Sequence, residues 1–148
     1  MSRSQASIDI KRPVDDVFAY AVDMGNFIKW SGEAIEAEQI GEGPLGVGTQ
    51  IRAVGKFLGR RVEQTLEITA YEPPASFGFK SVSGPFKSKM TLTFENVDGG
   101  TKVTEAVDVE SGGFFGVADP LFARMLGRQF DTNLHTMKDL VEAHGSSN

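Results

Sequence analysis

The hydrophobic period of this chain changes once in its second half, and that change restricts the fold more than any other feature. From residue 34 to about 110, apolar and polar residues alternate in steps of two, as half-buried strands require. From residue 120 to 145 the apolar residues Phe122, Leu126, Phe130, Leu134, Met137 and Val141 recur in steps of three and four, the mark of one amphipathic helix. About 24 residues at 1.5 Å each give a rod of roughly 36 Å, long enough to cross a whole sheet. Asp119 and Pro120 supply its cap and first turn, and Gly145 its stop.

One strand and two short helices precede the alternating region. Ala6, Ile8 and Ile10 alternate with Ser7 and Asp9, which predicts a first strand over 5–11. Pro13 suits the first position of a helix, and Val14, Val17, Phe18, Ala21 and Val22 then share one stripe. Asp15 and Asp16 fall in its first turn, where acidic residues complement the helix dipole. Asp23 caps a second helix that runs to Trp30. The alternating region divides into strands over 34–40, 49–57, 60–71, 77–82, 86–95 and 101–110. Pro73 and Pro74 force a break, and DGG at 98–100 marks a hairpin. These connections meander, so the seven strands are expected to form a largely antiparallel sheet.

The length of 148 residues fits one domain with a real core. Net charge is −5, and the densest basic stretch, GKFLGRR at 55–61, runs straight into Glu63 and Glu67. A nucleic-acid binder concentrates basic residues on one face, so no nucleic acid is expected as a partner. There is no cysteine, which removes disulfides, thiol nucleophiles and cysteine-based zinc sites. His135 and His144 stand nine apart on the long helix, away from ligand spacing, and no H-E-x-x-H, G-x-S-x-G or Walker sequence occurs. Neither a metal nor a cofactor is expected. No apolar run approaches the roughly 18–20 residues that span a bilayer, and the opening MSRSQASIDI has no apolar signal core. A cytoplasmic protein without stable membrane insertion is the expectation.

Residues 41–46, GEGPLG, spell the G-x-G-x-x-G pattern of dinucleotide sites. That chemistry needs a strand before the glycines and a helix after them, so that the helix N-terminus receives the pyrophosphate. Here TQIRAV follows, which is another strand. With Pro44 and Gly48, the stretch reads as a tight loop between antiparallel neighbours.

The stretches RPVDDVFAYAVDMGNFIKW, GPLGVGTQIR, ITAYEPPASFGFKS and GGTKVTEAV, in this order and spacing, resemble the landmarks of the START/Bet v 1-like superfamily. The resemblance is to its polyketide cyclase/dehydrase and lipid-transport branch and covers residues 7–143. It implies an α+β helix-grip fold: a seven-stranded curved antiparallel sheet around a long C-terminal helix, with two short helices between strands one and two. The whole chain is then one domain ending in a polar tail, HGSSN at 144–148. The resemblance also implies a cavity between sheet and helix that receives a hydrophobic or amphipathic molecule such as a lipid, polyketide or aromatic compound. The glycine stretch resembles the family's loop beside that cavity.

Alternation places Val62, Gln64, Leu66 and Ile68 of the fourth strand on one face, and Phe77, Phe79 and Ser81 of the fifth. The sixth contributes Phe86, Ser88, Met90, Leu92 and Phe94, with Lys87, Lys89, Thr91 and Thr93 pointing the other way. Val103, Glu105, Val107 and Val109 share a face of the seventh. A mostly apolar surface with a few polar groups has the character of a ligand pocket; packed core is the other reading. Candidate ligand contacts from the strands are Gln64, Leu66, Phe77, Phe79, Ser88, Met90, Leu92 and Val107. Trp30, which also suits packing, joins them from the second helix, as do Phe122, Met125, Gln129 and Asn133 from the long one. Phe114 and Phe115, in SGGFFGVADP at 111–120, either form a portal lid or tuck into the core.

Glu105 is the candidate catalytic residue. A carboxylate among valines is costly unless it is paired, protonated or wetted, and desolvation would raise its pKa toward general acid/base use. A bulge turning it outward would remove that role. The function expected is binding of an apolar small molecule, as a carrier or as a cyclase/dehydrase that holds a flexible chain in a reactive shape. The scarcity of ionisable groups inside favours the carrier. The alternative is a protein-interaction module of the chaperone-regulator type with no small-molecule chemistry.

Overall fold

The computed structural model describes residues 2–32, 34–57, 60–83, 87–109 and 120–146. The elements run β1 (Ser2–Ile10), α1 (Val14–Val22), α2 (Met24–Trp30), β2 (Ala34–Ile40), β3 (Gln50–Phe57), β4 (Arg60–Glu72), β5 (Ser76–Ser83), β6 (Ser88–Val97), β7 (Gly100–Val109) and α3 (Pro120–Ser146). All seven strands join one antiparallel sheet in the order β1-β7-β6-β5-β4-β3-β2. Consecutive strands β1 and β2 therefore lie at opposite edges, and α1 and α2 must carry the chain from one edge to the other. This is the helix-grip architecture, with a curved sheet on the long C-terminal helix.

Pairing sets the element bounds where hydrophobicity is silent. β1 starts at Ser2 rather than residue 5, because Ser2, Arg3 and Ser4 find partners in Val109, Asp108 and Val107 of β7. Pro13 stands one residue outside α1 as its cap rather than inside it. Asp23 caps α2 as expected: its Oδ1 accepts from the Gly25 N–H at 2.8 Å and the Asn26 N–H at 3.3 Å. Register shifts at Thr65/Leu66 and Ile68/Ala70 interrupt the β4–β5 ladder. Bulges of this kind bend a sheet and strengthen its twist. The second one restores Tyr71 to the face that Ile68 occupies, so Tyr71 pairs with Phe77 and packs on the core.

The core fills the space between the inner sheet face and the helices. Val17, Phe18, Ala21 and Val22 of α1 are buried there, as are Leu134, Met137 and Val141 of α3. The outer face carries charge: Arg52 reaches Glu36 at 3.6 Å, Glu38 at 3.4 Å and Glu63 at 3.0 Å. Gly100 sits where β7 meets the end of β1, and a Cβ there would overlap the Ile10 carbonyl oxygen. Glycine permits this close approach, and the sheet shuts tightly at that end.

The C-terminal half of α3 is tied to the same end. Lys138 Nζ donates to the Asp9 carbonyl oxygen at 2.8 Å and to Glu142 Oε2 at 2.7 Å, and the Lys11 N–H donates to Glu142 Oε2 at 2.9 Å. The Lys11 N–H first, then Lys138, hold the Glu142 carboxyl below its ordinary pKa. A carboxyl depressed in the fold stabilises above its unfolded pKa, and the gain disappears as pH falls through the folded value. Glu142→Gln is therefore expected to cost about 0.5–1 kcal/mol at neutral pH, in the range of partly exposed pairs. Urea titrations of both proteins should converge as pH falls through the depressed folded-state pKa of Glu142.

Candidate functional site

Along β1–β7–β6 the inner sheet face is fully covered at Val103 and Leu92 and slightly less so toward Val107 and Met90. In the row β1–β7–β6, Ile8, Val103 and Phe94 lie opposite one another, and Val103 has no exposed surface. One row further, Leu92 is also fully covered, with Glu105 beside it. The next row, Val107 and Met90, is 6% and 8% exposed, and its neighbour Phe79 is half-buried. Ser81 and Ser88 beyond them are half-buried too. α3 follows the same trend: Val141, Met137 and Leu134 are buried, whereas Phe130 and Gln129 are half-buried. Side-chain burial thus falls slightly on both sheet and helix toward the β5–β6 end.

A chain of aromatic rings crosses this interior. Trp30 meets Phe27 edge-to-face at 5.1 Å, and Phe27 meets Phe79 at 6.1 Å. Phe79 meets Phe77 at 5.9 Å, Phe77 meets Tyr71 at 6.1 Å, Tyr71 meets Phe18 at 5.8 Å, and Phe18 meets Phe94 at 5.1 Å. Such pairs contribute about 0.5–1.5 kcal/mol each beyond burial. The chain joins α2 to β5, β5 to β4, β4 to α1 and α1 to β6. Phe27 is a central member absent from the sequence-derived candidates. Its signal was the three-residue step to Trp30, which puts both rings on one face of α2.

Glu105 faces inward. The β7 ladders to β1 and β6 run without a register shift here, pairing Glu105 with Ala6 on one side and Leu92 on the other. Its side chain is 2% exposed, so the outward-turning bulge does not occur. Buried polar side chains among the described residues are Thr101, Glu105 and Asn133.

Several candidates have polar partners within the protein. Asn133 Oδ1 accepts from the Gly32 N–H and from Gln129 Nε2, both at 2.9 Å. Together they fasten the α2–β2 connection to α3, and a Cβ on Gly32 would stand 2.8 Å from Gln129 Nε2. The Ser88 N–H donates to Ser81 Oγ at 2.9 Å, extending the β5–β6 pairing past Lys80 and Lys89. By contrast, Trp30 Nε1 and Gln64 Oε1 are buried with no hydrogen-bond partner among the described residues. Leu66, Phe77, Met90, Leu92 and Val107 all lie on the core face. Phe114, Phe115 and Phe86 fall outside the described residues, as do the side chains of Phe122, Met125 and Val109.

The glycine stretch forms the loop between antiparallel β2 and β3, with Gly41, Gly43 and Gly48 at positive φ. No helix follows it, so the geometry of a pyrophosphate site is missing. Leu45 instead turns onto the core and lines an open recess of about 510 Å³ with Phe18, Val22, Tyr71 and Pro73. Asp15 and Asp23 edge that recess, at the two ends of α1. Among the described residues no group of His, Asp and Glu is placed to hold a metal ion, and no helix is long and apolar enough to cross a membrane.

Residues 1–142 match the family model described as polyketide cyclase/dehydrase and lipid transport. No curated protein matches the chain. Among solved structures, TTHA0849 of Thermus thermophilus is similar at 21% identity and TM-score 0.81, covering 96% of this chain and 98% of that one. A START superfamily protein of Mycobacterium smegmatis is 13% identical with TM-score 0.83, over 97% of this chain and 99% of its own. The di-domain ARO/CYC protein BexL of the BE-7585A biosynthetic pathway is 21% identical with TM-score 0.69, over 96% of this chain but 47% of its own.

The joint at Gly32 gives a direct test. Asn133→Ala leaves the Gly32 N–H and Gln129 amide without their acceptor, and should cost about 1–3 kcal/mol in chemical denaturation. An unchanged midpoint would show that the α2–β2 connection is held by other means.

Proposed function

The chain belongs to the polyketide cyclase/dehydrase and lipid transport family, and from that premise we propose that it holds a hydrophobic or amphipathic small molecule between its sheet and long helix. The supporting observation is a gradient of burial in an apolar interior, in which Met90 and Val107 are slightly less covered than Leu92 and Val103 and their neighbours Phe79 and Phe130 are half-buried. Aromatic edges and aliphatic side chains give such a ligand dispersion and burial at about 25 cal/mol per Å² of apolar area. On β2–β4 the outer sheet face carries the Arg52–Glu36–Glu38–Glu63 network, a solvated charged patch that speaks for the small-molecule reading over a protein-interaction module.

A carrier fits an interior with so few ionisable groups. The catalytic reading rests on Glu105, a carboxylate with its own strand neighbours Val103 and Val107 on the same face. In that reading the aromatic walls fold a flexible polyketide-like chain and Glu105 moves a proton at a carbon beside a carbonyl. Cytoplasmic residence, the absence of a nucleic-acid partner and a single domain over 1–148 complete the proposal.

Native mass spectrometry of the protein from its own cells, followed by denaturing extraction, tests the binding reading. A co-purifying apolar molecule is expected; a protein partner with no small molecule would favour the interaction module. Glu105→Gln keeps the shape and removes the ionisable proton. If the protein is a cyclase, turnover of a polyketide-like substrate should fall on the order of 10²–10⁴-fold with the fold intact. Unchanged binding and turnover would dismiss Glu105.

A further inference from the structure

We infer that the ligand carries both a hydrogen-bond acceptor and a hydrogen-bond donor on an apolar body, recognised by Trp30 Nε1–H and Gln64 Oε1 respectively. This rests on the small-molecule reading above and narrows it. Trp30 is 1% exposed, yet its indole N–H has no acceptor among the described residues. An indole nitrogen can only donate, and a buried tryptophan ordinarily finds an acceptor. Gln64 is half-buried, and its Oε1, an acceptor, is covered and likewise without a partner among the described residues.

Both groups lie in the β2–β4 half of the interior. Gln64 is opposite Ala53 of β3, which in turn faces Ala37 of β2, and it stands one inward position beyond Leu66 toward the β5–β6 end. Trp30 ends α2, which packs on β2, and its ring abuts Phe27 in the aromatic chain. A saturated hydrocarbon would leave both polar atoms unsatisfied in an apolar surround, which selects against it. A compound bearing a carbonyl or ether oxygen together with a hydroxyl satisfies both. Hydroxyketones and acyl phenols are the chemical class that fits.

Three naphthalenes of similar size separate these contributions: 2-acetylnaphthalene accepts, 2-naphthol donates, and 2-ethylnaphthalene does neither. Their binding is measured by isothermal titration to the wild-type chain, Trp30→Phe and Gln64→Leu. Trp30→Phe should weaken 2-acetylnaphthalene about five- to tenfold and leave 2-ethylnaphthalene within about twofold, as the net value of one hydrogen bond implies. Gln64→Leu should weaken 2-naphthol by a similar factor while 2-ethylnaphthalene binds as well or better. If Trp30→Phe fails to fold, the Gln64→Leu arm decides alone. A folded variant that binds its matched probe as tightly as the wild type overturns the inference and leaves the pocket standing. Failure of all three probes to bind the wild-type chain overturns the pocket reading and the inference with it.

Discussion

The edge-to-face chain of aromatic rings from Trp30 to Phe94 is the contact on which the rest of this structure depends. The sheet order puts β1 and β2 at opposite edges, so the two short helices between them span the sheet with little ladder bonding to it. Nine and seven residues are too few for either helix to be stable in isolation. They hold because Phe18 packs between Tyr71 and Phe94, and because Phe27 bridges Trp30 and Phe79. The same rings that fix the helices furnish the apolar wall of the proposed ligand site.

The two ends of the domain are built differently. At one end Gly100 lets β1 approach β7 closely, while Lys138 and Glu142 fasten α3 to Asp9 and Lys11. At the other, α3 is fastened to the α2–β2 connection through Asn133 and Gly32, and the sheet rows beyond Leu92 gain exposure. Glu105 lies at the boundary between them, below Val107 and level with Leu92.

Much of this was legible in the sequence because period and pattern carry it. Alternation gave all seven strands within a few residues and placed Leu66, Phe77, Leu92, Glu105 and Val107 on the inward face, where they lie. The strand after GEGPLG was enough to set aside a nucleotide site. What escaped depends on three-dimensional proximity. Nothing local marks Gly32 as the partner of Asn133, 101 residues away. Leu45, in a loop of glycines, has no periodicity to show that it turns onto the core. The bulge at Ile68/Ala70, which decides where Tyr71 points, arises from pairing and not from any turn residue.

The central claim is that a small apolar molecule is held between the inner face of the sheet and α3. Intermolecular NOEs measure this most directly, from a bound naphthalene to selectively labelled methyl groups of the chain. The account predicts cross-peaks to Met90, Val107 and Leu66, whose side chains face the interior. Cross-peaks confined to exposed Ile28, Ile35 and Val82 would place the molecule on the surface and contradict it.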